Sequence, residues 1–463
     1  MTSPPVALMN TDVPGLDALL GGGITPDALV LVIGAPGAGK TVLSSQIIFA
    51  AVRQGLRALI LTSYSEGNVK YLNHVRPFAF FDDAYVGDVI TLLSMQSLLT
   101  GDSGDAADVL MRTIRAARAQ IVLLDGFQGI APALTDSHMV RTALAKLAVQ
   151  TSFLQTRLLV TLAGNGRDSM FNPEVTTADL VLSLSYQLRE RRHERSIEVV
   201  KQRGRAPLPG DHSYMIDTSG VRIFPRIEVY PKPNPPKVSL GRARFGLPGL
   251  DAMLGGGLNQ GTTTILVGTP GAGKTTLGLH WALNEASPKA QTVFVSTGEF
   301  PDQLVRKADV FGLPLQQAIA ADALRIISLS PVDLNPDMAM SQLLAAIDSA
   351  TTRRLVIDDM SVLLRVLGTR AHSFLAALRA LLYGWGVTAL FLLEIAPFDG
   401  PVAVVANTPV DVLAENMVLV QQGDVSDKQR RTLAVLRMRF SDYDRTPREL
   451  LLKPTGIEVL RPE

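Results

Sequence analysis

The stretch LVIGAPGAGKT, residues 31–41, decides how the chain is read. It fits the pattern G-x-x-x-x-G-K-[ST] through Gly34, Gly39, Lys40 and Thr41. Each residue type has a chemical task. Glycines let successive backbone N–H groups converge on phosphate oxygens with no Cβ in the way. The lysine reaches the β- and γ-phosphates, and the threonine hydroxyl binds Mg²⁺. Such a loop works between a strand and a helix, because a helix N-terminus favours anions. The apolar run ALVLVI (28–33) precedes it and the helical pattern TVLSSQIIFAAV (41–52) follows. Pro36, Gly37, Ala38, Gly39, Lys40, Thr41 and Val42 are therefore expected to line a phosphate cradle.

The cradle returns as LVGTPGAGKT, residues 266–275, framed by TTTILV and TLGLHWAL. Here the lining is Pro270, Gly271, Ala272, Gly273, Lys274, Thr275 and Thr276. VPGLDALLGGGI (13–24) likewise matches LPGLDAMLGGGL (247–258). Gly15 and Gly249, and Gly34 and Gly268, are both 234 positions apart (249 − 15 and 268 − 34). One offset shared by two motifs identifies a tandem duplication. We expect one domain over residues 1–230, a proline-stiffened linker over 231–244, and a second domain over 245–463. Within each copy apolar runs alternate with helical patterns, which predicts an α/β fold with a mainly parallel sheet flanked by helices. Each copy closes on a strand, a charged turn and another strand, read as an antiparallel hairpin.

Composition narrows the classes. The 463 residues are 47% hydrophobic and 6% aromatic, with a net charge of +1 and no cysteine. Disulfides, thiolate metal sites and cysteine nucleophiles are excluded. Near-neutral charge gives no global pull toward nucleic acid. The charged run RERRHER (189–195) reads as a solvated hairpin tip, since Glu190 and Glu194 interrupt its positive charge. No apolar run reaches the length of a membrane span, and the first residues lack a secretory pattern, so a cytoplasmic protein is expected.

A Mg²⁺-dependent phosphate site also needs a carboxylate at the end of a neighbouring strand. Asp125 follows IVLL and Asp358 follows LVI, at lysine-to-aspartate spacings of 85 and 84 (125 − 40 and 358 − 274). Thr41 with Asp125, and Thr275 with Asp358, are the predicted metal-side pairs. Asp359 adds a second carboxylate whose role the sequence leaves open.

With GLDALLGGGI before GAPGAGKT, the repeated architecture, and VKQRG at 200–204, the chain resembles the KaiC family of tandem RecA-type ATPases. The resemblance implies ATP and Mg²⁺ as ligands, a hexamer of two stacked rings, and nucleotides held between neighbouring subunits. It assigns Lys201 and Arg203, and by position Arg437 and Arg439, to the phosphates of the adjacent subunit. Such a cation neutralises charge developing on the transferring phosphoryl. In the second copy Phe440 replaces the glycine of that motif. The family's paired glutamates fall at Ser65–Glu66 and Gly298–Glu299, so Glu66 and Glu299 are the carboxylates left to polarise water. The family's phosphorylated Ser-Thr pair falls at Asp411–Val412, where neither side chain has a hydroxyl. These readings favour a slow ATPase that signals conformationally to a protein partner. A DNA-dependent motor, an ATP-stabilised scaffold and an autokinase are the competing readings, the last weakened by the missing acceptor pair.

Overall fold

A computed structural model describes residues 7–63, 67–100, 106–127, 137–164, 173–189, 192–230, 241–332, 334–395, 408–425 and 428–460. The chain divides into two compact units, 1–229 and 230–463. Linker residues 231–240, Glu66, and Glu190 of the charged turn lie outside the described residues.

In the first unit, β1 (Leu29–Gly34), β2 (Ala58–Thr62), β3 (Ile90–Ser94), β4 (Ile121–Leu124), β5 (Arg157–Ala163), β6 (Leu180–Arg189), β7 (Arg192–Gln202), β8 (Asp211–Asp217) and β9 (Gly220–Phe224) form one sheet. Its order is β3-β2-β4-β5-β1-β6-β7-β8-β9. The strands from β3 to β6 are parallel; β6 to β9 continue as antiparallel neighbours. Every residue of β1 is buried. Its alternate side chains serve opposite faces of the sheet. Val30 and Val32 pack with Leu43, Ile47 and Tyr71, while Leu29, Leu31 and Ile33 pack with Leu110 and Leu144. A strand covered on both faces reads as an unbroken apolar run, which is why ALVLVI carries no polar alternation.

The second unit repeats the plan. A short ribbon of β10 (Arg242–Ala243) and β11 (Leu258–Asn259) precedes the sheet. The sheet contains β12 (Thr263–Gly268), β13 (Gln291–Ser296), β14 (Leu324–Ser328), β15 (Thr352–Asp358), β16 (Thr388–Glu394), β17 (Asn416–Val425), β18 (Lys428–Met438), β19 (Arg448–Lys453) and β20 (Gly456–Val459). Its order, β14-β13-β15-β16-β12-β17-β18-β19-β20, is the first unit's order with each strand replaced by its counterpart. In both sheets the cradle strand sits between neighbours distant in sequence. That leaves a crevice at the carboxyl ends of the strands, where α/β folds bind ligands. Among the described residues no helix is long and apolar enough to cross a membrane.

The repeated PGLD has a packing cause. A Cβ on Gly15 would stand 2.2 Å from the Ile223 carbonyl oxygen in β9, and one on Gly249 would stand 2.2 Å from that of Val459 in β20. The aspartates that follow tie down the entering chain: Asp17 accepts from the Thr11 N–H and hydroxyl, and Asp251 from the N–H groups of Phe245 and Gly246. Gly15 also has φ of +85°. Gly15→Ala is therefore expected to destabilise the first unit by at least about 2 kcal/mol, because a methyl meets backbone that cannot rotate away. Denaturant unfolding of the full chain measures it.

Candidate nucleotide sites

The first cradle is built as its residue types require. β1 ends at Gly34, and the helix Lys40–Arg53 starts directly after Gly39. Gly37 and Gly39 have φ of +80° and +90°, left-handed values that turn the loop's N–H groups inward. Gly39 is confined a second way, since a Cβ there would lie 2.3 Å from Cδ1 of Ile216 in β8. The Tyr214 hydroxyl, also on β8, donates to the Ala38 carbonyl, so the antiparallel extension braces the loop from outside. Lys40 folds back on its own loop, with Nζ 2.8 Å from the Gly34 oxygen and 3.0 Å from that of Ala35. Burial lowers its proton affinity, and the charge of Asp125 opposes that shift.

Thr41 and Asp125 come together. Thr41 Oγ1 lies 2.9 Å from Asp125 Oδ2. Thr161, on β5, donates to Asp125 Oδ1 at 2.7 Å and fixes the carboxylate's orientation. A hydroxyl beside a buried carboxylate, oxygen donors only, suits Mg²⁺, which takes one or two carboxylates and completes its shell with water and phosphate. Beneath them Ser45 donates to the Thr41 carbonyl at 2.6 Å and contacts the Tyr71 hydroxyl at 2.7 Å.

The second cradle matches in outline and differs in charge. Gly271 and Gly273 have φ of +73° and +100°. Lys274 Nζ lies 3.0 Å from the Gly268 oxygen, 2.9 Å from that of Thr269 and 3.4 Å from Glu394 Oε2. Thr275 stands near enough to Asp358 to favour its charged form. In the strand register Leu392 replaces Thr161 beside this carboxylate, because Val32 pairs with Thr161 and Leu266 with Leu392. Burial pushes Asp358 up to about 6; the charges of Asp359 and Glu299 add to the rise, and Thr275 and Lys307 oppose it. Asp359 has a separate task. Its Oδ1 accepts from the N–H and hydroxyl of Ser361, capping the helix Met360–Leu367. Glu299 stands close enough to influence Asp358, but its carboxylate is bound to Lys307.

A pH dependence follows for the second site. A carboxyl with raised proton affinity in the folded chain binds metal in competition with a proton. Mg²⁺ affinity of the second site is expected to fall about tenfold per pH unit below about 6, where Asp358 takes up its proton. For folding the sign is opposite to that of a salt-bridged carboxylate. The contribution of Asp358 is most favourable below its unfolded value near 4 and is lost as pH rises through about 6. Mg²⁺ titration of a Lys40→Ala chain at pH 5, 6 and 7 measures the first effect, and Asp358→Asn should remove the pH slope.

The four predicted phosphate cations do not join their own cradles. Lys201 pairs with Val181, which is level with Leu31, three residues below the start of the loop at Gly34. Arg437 pairs with Met417, level with Ile265, and stands at the same low edge. Lys201 Nζ donates to the carbonyls of Val175 and Thr176 at 2.9 and 2.8 Å. Arg203 donates to the Thr176 carbonyl at 2.9 Å and contacts Asp179 at 3.5 Å. Burial, then the neighbouring Arg203, lowers the proton affinity of Lys201. In the second copy Arg437 pairs with Asp411 at 3.6 Å, and the Arg439 guanidinium lies 5.9 Å from the centre of the Phe440 ring. Phe440 keeps the backbone shape of the glycine it replaces, with φ of +68° against +73° at Gly204. Phe440 is 75% exposed, and that conformation is one that non-glycine residues rarely adopt.

Sequence reading missed Thr161, the Ser45–Tyr71 pair and Glu394. None has a spacing signal; each becomes visible only when strands or helices apart in the chain are brought together. Tyr186 was also unforeseen. It stacks on His193 with ring centres 4.6 Å apart, carries Arg195 over its ring at 4.4 Å, and stands beside Gly37.

Comparison with known proteins agrees with this architecture. A family model described as "ATPase: KaiC" matches residues 9–228 and again 243–463. The circadian clock oscillator protein KaiC of Synechococcus elongatus is 23% identical over 99% of this chain and 91% of its own length. The circadian clock protein KaiC3 of a Synechocystis species is 23% identical over 98% of this chain and 92% of its own. KaiC of Parathermosynechococcus lividus is 23% identical, over 97% and 84%. With both halves matched, two sheets of one strand order and a phosphate cradle at the same place in each, the chain belongs to the KaiC family of ATPases.

Proposed function

We propose that the chain binds MgATP at two sites and hydrolyses it slowly, using the resulting conformational change to signal to a protein partner. The observation that carries this reading is the repeated group of lysine, threonine and buried aspartate: Lys40, Thr41 and Asp125, then Lys274, Thr275 and Asp358. The placement of Lys201, Arg203, Arg437 and Arg439 adds the assembly. These cations stand on the sheet edge away from their own cradles, so they serve phosphates only if another copy supplies the nucleotide. A closed ring, a hexamer by analogy with the family, satisfies every site with the same contact. Glu66 is assigned to polarise water in the first copy, while Glu299 and Glu394 are the carboxylates near enough in the second.

The test is ATP turnover and particle mass for the wild type, with and without single-stranded DNA. Slow turnover by a particle of six chains, indifferent to DNA, is the expected result. Strong stimulation by DNA would favour a motor. ATP-dependent assembly with no turnover would leave a scaffold. Asp411→Asn is expected to leave assembly intact, because the half-exposed Arg437–Asp411 pair stabilises by at most about 1 kcal/mol.

A further inference from the structure

We infer that Glu394 is the carboxylate that orients the attacking water in the second nucleotide site. This rests on the ATPase reading above and names a residue outside the family's paired-glutamate position. β16 lies between β15, which ends at Asp358, and β12, which ends at Gly268. Its last residue, Glu394, is level with Gly268. The carboxylate therefore stands on the same rim as the phosphate loop and the metal-side aspartate. Its Oε2 is 3.4 Å from Lys274 Nζ, and its side chain is 48% exposed. In the first copy that rung is Ala163, level with Gly34. The carboxylate is thus a property of the second site alone.

The reach suits one water molecule. Lys274 touches a phosphate oxygen at about 2.8 Å in a charge-assisted bond. Added to the 3.4 Å on its other side, this puts Glu394 within about 6 Å of that oxygen. One water bonded to both groups spans such a gap. Glu299 is less suited, because its carboxylate is already bound to Lys307 in the last turn of the neighbouring helix, Pro301–Val310. In the step proposed, the water oxygen bonds to the γ-phosphorus and the bond from that phosphorus to the β–γ bridging oxygen breaks. ADP leaves with the electron pair. The water's proton passes to Glu394 and from there to solvent.

The experiment uses the full chain with the first cradle silenced by Lys40→Ala. This chain should turn over ATP faster than the Lys40→Ala/Lys274→Ala chain. Adding Glu394→Gln should lower the remaining rate at least 30-fold, while affinity for a non-hydrolysable ATP analogue stays within threefold or tightens. Adding Glu299→Gln instead should lower the rate less than Glu394→Gln does, and the inference is overturned if it lowers the rate more. The inference is overturned if Glu394→Gln leaves the rate within threefold or raises it, or if analogue binding is lost with turnover. It is also overturned if Lys40→Ala alone is silent while the wild type is active, and in that case the ATPase reading survives. A silent wild type would remove both.

Discussion

Replacing Lys40 and Lys274 together by alanine is expected to abolish ATP turnover and nucleotide binding, and each single replacement to remove one of two bound nucleotides. Each ammonium is already poised. Lys40 bonds two carbonyls of its own loop at 2.8 and 3.0 Å, and Lys274 bonds two at 3.0 and 2.9 Å. A phosphate that replaces one of these carbonyls gains a charge-assisted bond worth about 1.5–3 kcal/mol, and the lysine touches more than one phosphate. Loss of affinity by at least about 100-fold per site follows. The residue is otherwise dispensable to the fold, because the helix it begins is anchored by buried Leu43, Ile47 and Ile48 in the first copy and by Leu277, Leu279 and Trp281 in the second. Retained folding with lost binding separates this account from simple destabilisation. Equilibrium binding of a fluorescent ATP analogue, together with thermal unfolding, measures both.

The second large effect is expected from Arg203. In a chain whose second cradle is silenced by Lys274→Ala, Arg203→Ala should reduce kcat by about 10³-fold while leaving ATP binding by the same subunit within a few-fold, as removal of an arginine finger does. Its guanidinium hangs on the Thr176 carbonyl and on Asp179 at the edge of its own sheet, contacts weak enough to release it toward a partner. A residue acting in its own site would show its loss in a monomer. A residue acting across an interface shows it only in the assembly, and mixing Arg203→Ala chains with Lys40→Ala chains should restore part of the activity at mixed interfaces. Steady-state turnover against mixing ratio measures this.

Particular residues mark how much of this was legible in the sequence. LVIGAPGAGKT fixed strand, loop and helix because each position has a local cause: a doubly covered strand, two left-handed glycines and a helix start. The shared offset of the two copies carried that reading to the second unit. Asp125 and Asp358 were found because a strand-ending carboxylate leaves a local trace. Asp359, undecided from sequence, is a helix cap, a role set by the chain that follows it. Glu394, Thr161 and the Glu299–Lys307 pair left no trace, since their meaning lies in which strands and helices become neighbours. Phe440 shows the converse. A bulky side chain replaces the motif's glycine, yet the backbone holds the glycine's left-handed shape, with φ of +68° against +73° at Gly204.

The most direct measurement of the central claim is the number of non-hydrolysable ATP analogues bound per chain, counted by native mass spectrometry in the presence of Mg²⁺. Two per chain in the wild type, one in Lys40→Ala, one in Lys274→Ala and none in the double variant is the predicted result. One or none in the wild type, or two retained after either lysine is replaced, would contradict it.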